Sequence, residues 1–83
     1  MAYPTLDLRA TGENIRILRE QKNLRVEDVR AFMGFETPVA IYKWQRGECL
    51  PSIDNLYALS VLLDTPIDNI LVPDHEEDES LPH

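Results

Sequence analysis

The chain has 83 residues, 43% of them hydrophobic, and a formal net charge of −7. That length allows one small core and excludes a second of useful size. The single Cys49 excludes an intrachain disulfide framework, and no apolar run is long enough to cross a bilayer. The expectation is a soluble cytoplasmic chain with no membrane partner.

Residues 1–10 have no clear period and include Pro4, so they read as an N-terminal arm. Leu6 and Leu8 alternate with Asp7 and Arg9, which fits a short strand or an arm laid over the core or a dimer partner. A first helix is predicted over residues 12–22, with Thr11 as its cap. Ile15 and Leu18 would face inward and Arg16, Glu20 and Lys22 outward. Asn23-Leu24 turns the chain. A second helix follows over 26–33, with Val29, Phe32 and Met33 on its apolar face. Gly34 ends it, because a left-handed residue just past a helix is cheap only for glycine.

Thr37-Pro38 restarts the chain as a third helix, with Thr37 capping free amides and Pro38 at the first helical position, where its missing N–H is no loss. Ile41 and Trp44 give this helix its buried stripe, and Gly47 ends it. Ser52 is placed to cap a fourth helix, with Ile53, Leu56, Leu59, Ser60 and Leu63 on one face. Thr65-Pro66 repeats the cap-and-proline device before a short fifth helix carrying Ile67, Ile70 and Leu71. Residues 73–83 form an acidic, apolar-poor tail expected to stay solvated, or to compete with phosphate for a basic face. The tail holds five of the acidic groups and no Lys or Arg. The first 73 residues are therefore near −2, with eight basic against ten acidic groups, which leaves room for a local positive face.

Two helices joined by a short glycine-containing turn make a helix-turn-helix, whose second helix characteristically enters a DNA major groove. Added to that pair are Gly12-Glu-Asn-Ile-Arg-Ile-Leu-Arg19, Ile41-Tyr-Lys-Trp-Gln-Arg-Gly47 and Leu50-Pro-Ser-Ile-Asp-Asn-Leu56. The ordered set resembles the phage-repressor-like, or XRE, helix-turn-helix family over residues 11–72, and its wording resembles short single-domain bacterial regulators. The resemblance implies an all-α, compact five-helix lambda-repressor-like domain with its helix-turn-helix at helices two and three.

It also implies which residues meet DNA. The family's base-reading positions fall on Pro38, Val39 and Lys43, with Thr37 and Tyr42 beside the backbone and Arg46 at the phosphates. Pro38 and Val39 can pack against thymine methyl groups, and Lys43 can reach guanine or a phosphate. Tyr42 is the best polar-aromatic candidate for a phosphate or base contact, the alternative being a cover for the helix. Arg25 stands near where the family places a phosphate-binding Gln, and reads either as a charged substitute or as solvated surface. Three departures from the family pattern stand out. One extra residue lies between Gly34 and Gly47, assigned to the Phe35-Glu36 turn. Arg30 replaces a small residue. Gln45 replaces the glutamate that pairs with the family's arginine at Arg19, leaving a charge-assisted hydrogen bond there.

The partners implied are double-stranded DNA and a second copy of the chain. Tyr57, Leu62 and Ile67 are candidates for an exposed dimer patch, with a core role as the alternative reading. The competing function is an antitoxin-like or adaptor protein-interaction module with weak or lost DNA binding, which the acidic balance and the apolar Pro38-Val39 pair favour. An enzyme is not expected. The sequence has no nucleophile–base spacing, phosphate-cradling glycine loop or metal cluster, and it points to no cofactor and no small-molecule ligand.

Overall fold

The computed structural model describes residues 3–74. Five helices follow in order: α1 (Leu8–Gln21), α2 (Val26–Met33), α3 (Val39–Arg46), α4 (Ile53–Leu62) and α5 (Ile67–Ile70). Among the described residues the only extended pairing is one antiparallel bridge between Leu6 and Pro73. All but the first two residues of the acidic tail, and any competition with phosphate by it, lie outside the described residues.

Every helix contributes to one core. Ile15 comes from α1, Val29 from α2, Ile41 and Trp44 from α3, and Ile70 from α5. Leu56 and Leu59 come from α4, with Leu63 at its end. Side chains of this size contribute about 1.5–3 kcal/mol each on burial, so the eight together supply most of the cohesion of so short a chain. Leu18 and Met33 pack around them as the helical spacing predicts, and Leu24 joins them from the turn before α2.

The first helix begins at Leu8 rather than Gly12, taking in part of the expected arm. Asp7 caps it, its carboxylate accepting the Ala10 N–H at 2.9 Å. Nothing in residues 8–11 breaks a helix, so the strong cap wins. Thr11 is therefore inside α1 and only 1% exposed. Its hydroxyl accepts the Val72 N–H at 2.9 Å, while Asp7 N–H donates to the Val72 carbonyl at 2.8 Å. Asn14, one turn on, donates to the carbonyls of Asn69 and Ile70 at 2.8 and 3.0 Å. A four-residue helix cannot satisfy its own last carbonyls, so α1 does this for α5.

Three further expectations are corrected. Phe32 and Ile53 are exposed, because each lies about a quarter-turn from the centre of its helix's buried face. Ile53 also precedes the first covered turn of α4. Thr65 does not cap α5, since its hydroxyl donates backwards to the Leu63 carbonyl at 2.8 Å.

Candidate nucleic-acid interface

The turn between α2 and α3 is set by Gly34, whose φ of 76° is left-handed. The N–H groups of Gly34 and Phe35 both return to the Arg30 carbonyl, at 3.0 and 3.2 Å. Arg30 then closes the turn from outside. Its Nη1 donates to the Phe35 carbonyl at 2.6 Å, and its Nε and Nη2 grip Glu27 at 2.9 and 2.5 Å. The arginine that replaces a small residue thus clamps the longer turn. Phe35, in the extra-residue segment, folds inward, its ring edge-on to Trp44 with centroids 6.0 Å apart.

α3 starts at Val39, with Pro38 as the boundary residue whose carbonyl accepts the Tyr42 N–H at 3.1 Å. The expected first helical position of Pro38 is thus shifted by one. Thr37 Oγ1 stands 3.5 Å from the Val39 N–H, at the limit of a hydrogen bond, so it caps weakly at best.

Ile41 and Trp44 point into the core, which turns the opposite side of α3 to solvent. Val39, Tyr42, Lys43 and Arg46 are all exposed there. Their spacing of three, four and seven places them along one face. Thr37 is exposed just before this face and Pro38 is half-buried. Arg25 is exposed on a different element, at the start of α2. Of the apolar candidates, Tyr57 is 65% exposed, whereas Leu62 and Ile67 are partly buried against the core. The residues that share Tyr57's open face are Ile53 and Val61, 77% and 58% exposed. Their spacing of four is the signal that a face-by-face reading of α4 would have caught.

The far end of α3 is pinned to α1. A Cβ on Gly12 would lie 2.1 Å from the Trp44 carbonyl oxygen, so only glycine permits this crossing. Arg19 supports it, donating from Nε to Gln45 Oε1 at 3.0 Å and from Nη1 to the Leu24 carbonyl at 2.7 Å. Gly47 ends α3 with φ of 79°, and a Cβ there would sit 2.8 Å from the Arg9 Cα.

Carboxylates temper the positive charges. Arg46 Nε donates to Glu48 Oε2 at 2.5 Å. That hydrogen bond, with the nearby Lys43 charge adding to it, holds the Glu48 carboxyl below its usual range. Asp28 accepts the Arg25 backbone N–H at 2.7 Å, the main reason its own carboxyl is lowered, and lies 3.4 Å from the Arg25 guanidinium. Lys43 makes no ion pair within 4.0 Å among the described residues. These exposed pairs add little stability. What they change is the local potential.

An open cleft of about 650 Å³ lies where α1 meets the end of α3, lined by Arg9, Glu13, Gln45, Arg46 and Glu48. Sequence reading placed Arg9 on the arm and Arg46 on the recognition helix, and no periodicity joins them. The Gly47 close approach does.

The fold and the outward face of α3 define a helix-turn-helix domain of the kind found in DNA-binding transcriptional regulators. The helix-turn-helix family model HTH_3 matches residues 15–70, and the chain belongs to that family, the XRE type. Among solved structures it is similar to the restriction-modification controller protein C.AhdI from Aeromonas hydrophila. The two share 26% identity at a TM-score of 0.69, over 77% of this chain and 96% of that one. It is also similar to the P22 c2 repressor, solved with a synthetic operator, at 35% identity and a TM-score of 0.66 over 72% of this chain and 89% of that one. The hypothetical transcription factor NHTF from Neisseria shares the fold over 98% of both chains, at 20% identity and a TM-score of 0.68. Among curated proteins no sequence matches. No described helix is long and apolar enough to cross a membrane.

Proposed function

We propose that this chain is a sequence-specific DNA-binding transcriptional regulator that lays α3 in the major groove as a homodimer on a pseudo-palindromic operator. The observation that carries the reading is the outward stripe of Val39, Tyr42, Lys43 and Arg46 on the second helix of a helix-turn-helix. Val39 supplies apolar contact for a thymine methyl. Lys43 supplies donors for guanine O6 or N7. Tyr42 offers a hydroxyl on a rigid ring, and Thr37 and Arg46 flank the stripe at its two ends for backbone phosphates. Arg25 adds a phosphate contact from α2. Pro38 holds the start of the helix and presents an apolar ring beside Val39.

The second copy meets the first through α4. Ile53, Tyr57 and Val61 form an apolar stripe that can face its own two-fold mate, with the exposed Asp54 at its edge and Leu62 and Ile67 behind it. Such a dimer places half-sites roughly 34 Å apart. The arrangement needs no cofactor, and it belongs in the cytoplasm, where DNA is accessible.

Selection of bound fragments from a random DNA pool, repeated at two salt concentrations, tests the reading. Enrichment of a two-fold-symmetric site, weakened by salt, is the expected result. A second reading, an interaction module of antitoxin or adaptor type, is favoured by the net charge of −7 and by the carboxylates beside Arg25 and Arg46. Tight binding to a protein partner without any retardation of DNA would establish it instead.

A further inference from the structure

We infer that the cleft between the start of α1 and the end of α3 is a DNA-phosphate site, formed by Arg9 and Arg46, in which the Glu48 carboxylate is the resident counterion that phosphate displaces. The inference rests on the DNA-binding reading above and extends it to two residues outside the recognition stripe.

Arg9 stands in the first turn of α1, whose free amides already have the Asp7 carboxylate as their cap, held by the Ala10 N–H. Its own charge has no ion-pair partner among the described residues, which leaves it open to an anion from outside the fold. The side chain is exposed, and its base lies against the end of α3. An ideal Cβ on Gly47 would lie 3.0 Å from Arg9 Cγ, so the arginine stem runs directly over the glycine that ends α3. Arg9 thereby lines a cleft whose other cation is Arg46. Among the described residues no carboxylate lies within 4.0 Å of Arg9.

The acidic residues of the cleft are committed elsewhere or poised to move. Glu13 is paired with Arg16 along α1. Glu48 is held by Arg46 alone at 2.5 Å, two residues away in a loop, and both side chains are about half exposed. Its charged form is favoured by Arg46 and Lys43, as a phosphate oxygen would be in the same place. A phosphodiester brings the same charge with more acceptor oxygens, and it can be shared by two guanidiniums where Glu48 serves one. Binding therefore exchanges one anion for another at Arg46 and gains Arg9 outright. The exchange lowers net affinity relative to an open site and sharpens dependence on a correctly placed backbone.

The test is fluorescence anisotropy with a labelled random-sequence duplex, titrated with salt, on the full chain. Arg9→Ala should weaken binding about 3- to 10-fold at low salt and reduce the salt slope by about one, while Arg9→Lys keeps the slope. Glu48→Gln should tighten binding by a similar factor. Glu20→Gln makes the same change in net charge at the other end of α1 and should stay within about twofold of wild type, separating a local effect from a global one. Circular dichroism on each variant confirms the fold, and Arg9→Lys serves if Arg9→Ala loses it. Wild type that binds with normal salt dependence, while Arg9→Ala and Glu48→Gln match it or Glu20→Gln equals Glu48→Gln, overturns this site alone. Wild type without salt-dependent binding overturns both this site and the DNA-binding reading.

Discussion

Arg19 and Gln45 join α1 to the end of α3 through a hydrogen bond of 3.0 Å from a guanidinium whose side chain is only 12% exposed. The same guanidinium holds the Leu24 carbonyl, so one residue fixes both the turn before α2 and the helix that faces solvent. Hydrogen bonds to a charged group contribute more than neutral ones, and leaving a largely covered guanidinium short of an acceptor costs about 1.5–3 kcal/mol. Gln45→Ala should lose that much in urea unfolding. Gln45→Glu, which makes a true ion pair, should unfold at higher denaturant than wild type. A Gln45→Ala variant as stable as wild type would remove this contact from the account.

The glycines should separate cleanly on substitution. Gly12→Ala drives a methyl group against backbone carbonyls that no rotamer can move, so the α1–α3 crossing must open. A loss of about 3 kcal/mol or more is expected, enough to unfold much of the protein at 37 °C. Gly34→Ala meets no atom within 4 Å and bears only the cost of a left-handed alanine, about 1–2 kcal/mol. Thermal unfolding followed by circular dichroism distinguishes the two. Equal losses would mean that the crossing is looser than its geometry implies.

The α4 stripe gives a prediction about assembly. Val61→Glu puts a charge on an exposed position, so the monomer fold should be nearly unchanged. At a two-fold interface the charge faces its own copy and should convert dimer to monomer in sedimentation equilibrium. A wild type that is monomeric at high concentration would contradict the proposed mode of assembly.

Acid should act late and gradually. Glu13, Glu27, Asp28 and Glu48 are all lowered, chiefly by hydrogen bonds to Arg16, Arg30, Arg25 and Arg46 respectively. A group depressed on folding contributes stability that is present above its unfolded value and lost as pH falls through its folded one. The loss should therefore begin near the ordinary carboxyl values of 4.5 for Glu and 3.8 for Asp and continue below them. Because Glu13, Glu27 and Glu48 are exposed and Asp28 is only partly covered, it should be shallow. A steep fall above pH 5 would require a buried titrating group instead.

The core was legible because helical spacing fixes it. Ile15, Val29, Ile41, Trp44, Leu56, Leu59 and Leu63 all emerge from periodicity and are all buried. Both glycine stops were legible for the same kind of local reason, since each carries the positive φ that only glycine adopts cheaply. What sequence misplaced depends on distant partners. Thr11 reads as a cap until Val72 returns to claim its hydroxyl, and Ile53 reads as core until the neighbouring helices leave it uncovered. The outward face of α3 follows from its inward one. The meeting of Arg9 with Arg46 does not, because it arises from a helix crossing that no local pattern encodes.

The central claim is that the outward face of α3 reads DNA. The most direct test is DNA selection from a random pool at two salt concentrations with wild type and with a Tyr42→Ala, Lys43→Ala double variant. Both residues are exposed, so the variant should fold normally. The account predicts a two-fold-symmetric site enriched by wild type, weakened by salt and lost in the variant, with only weak non-specific binding left behind. The same site enriched equally by both proteins, or none enriched by either at low salt, would contradict it.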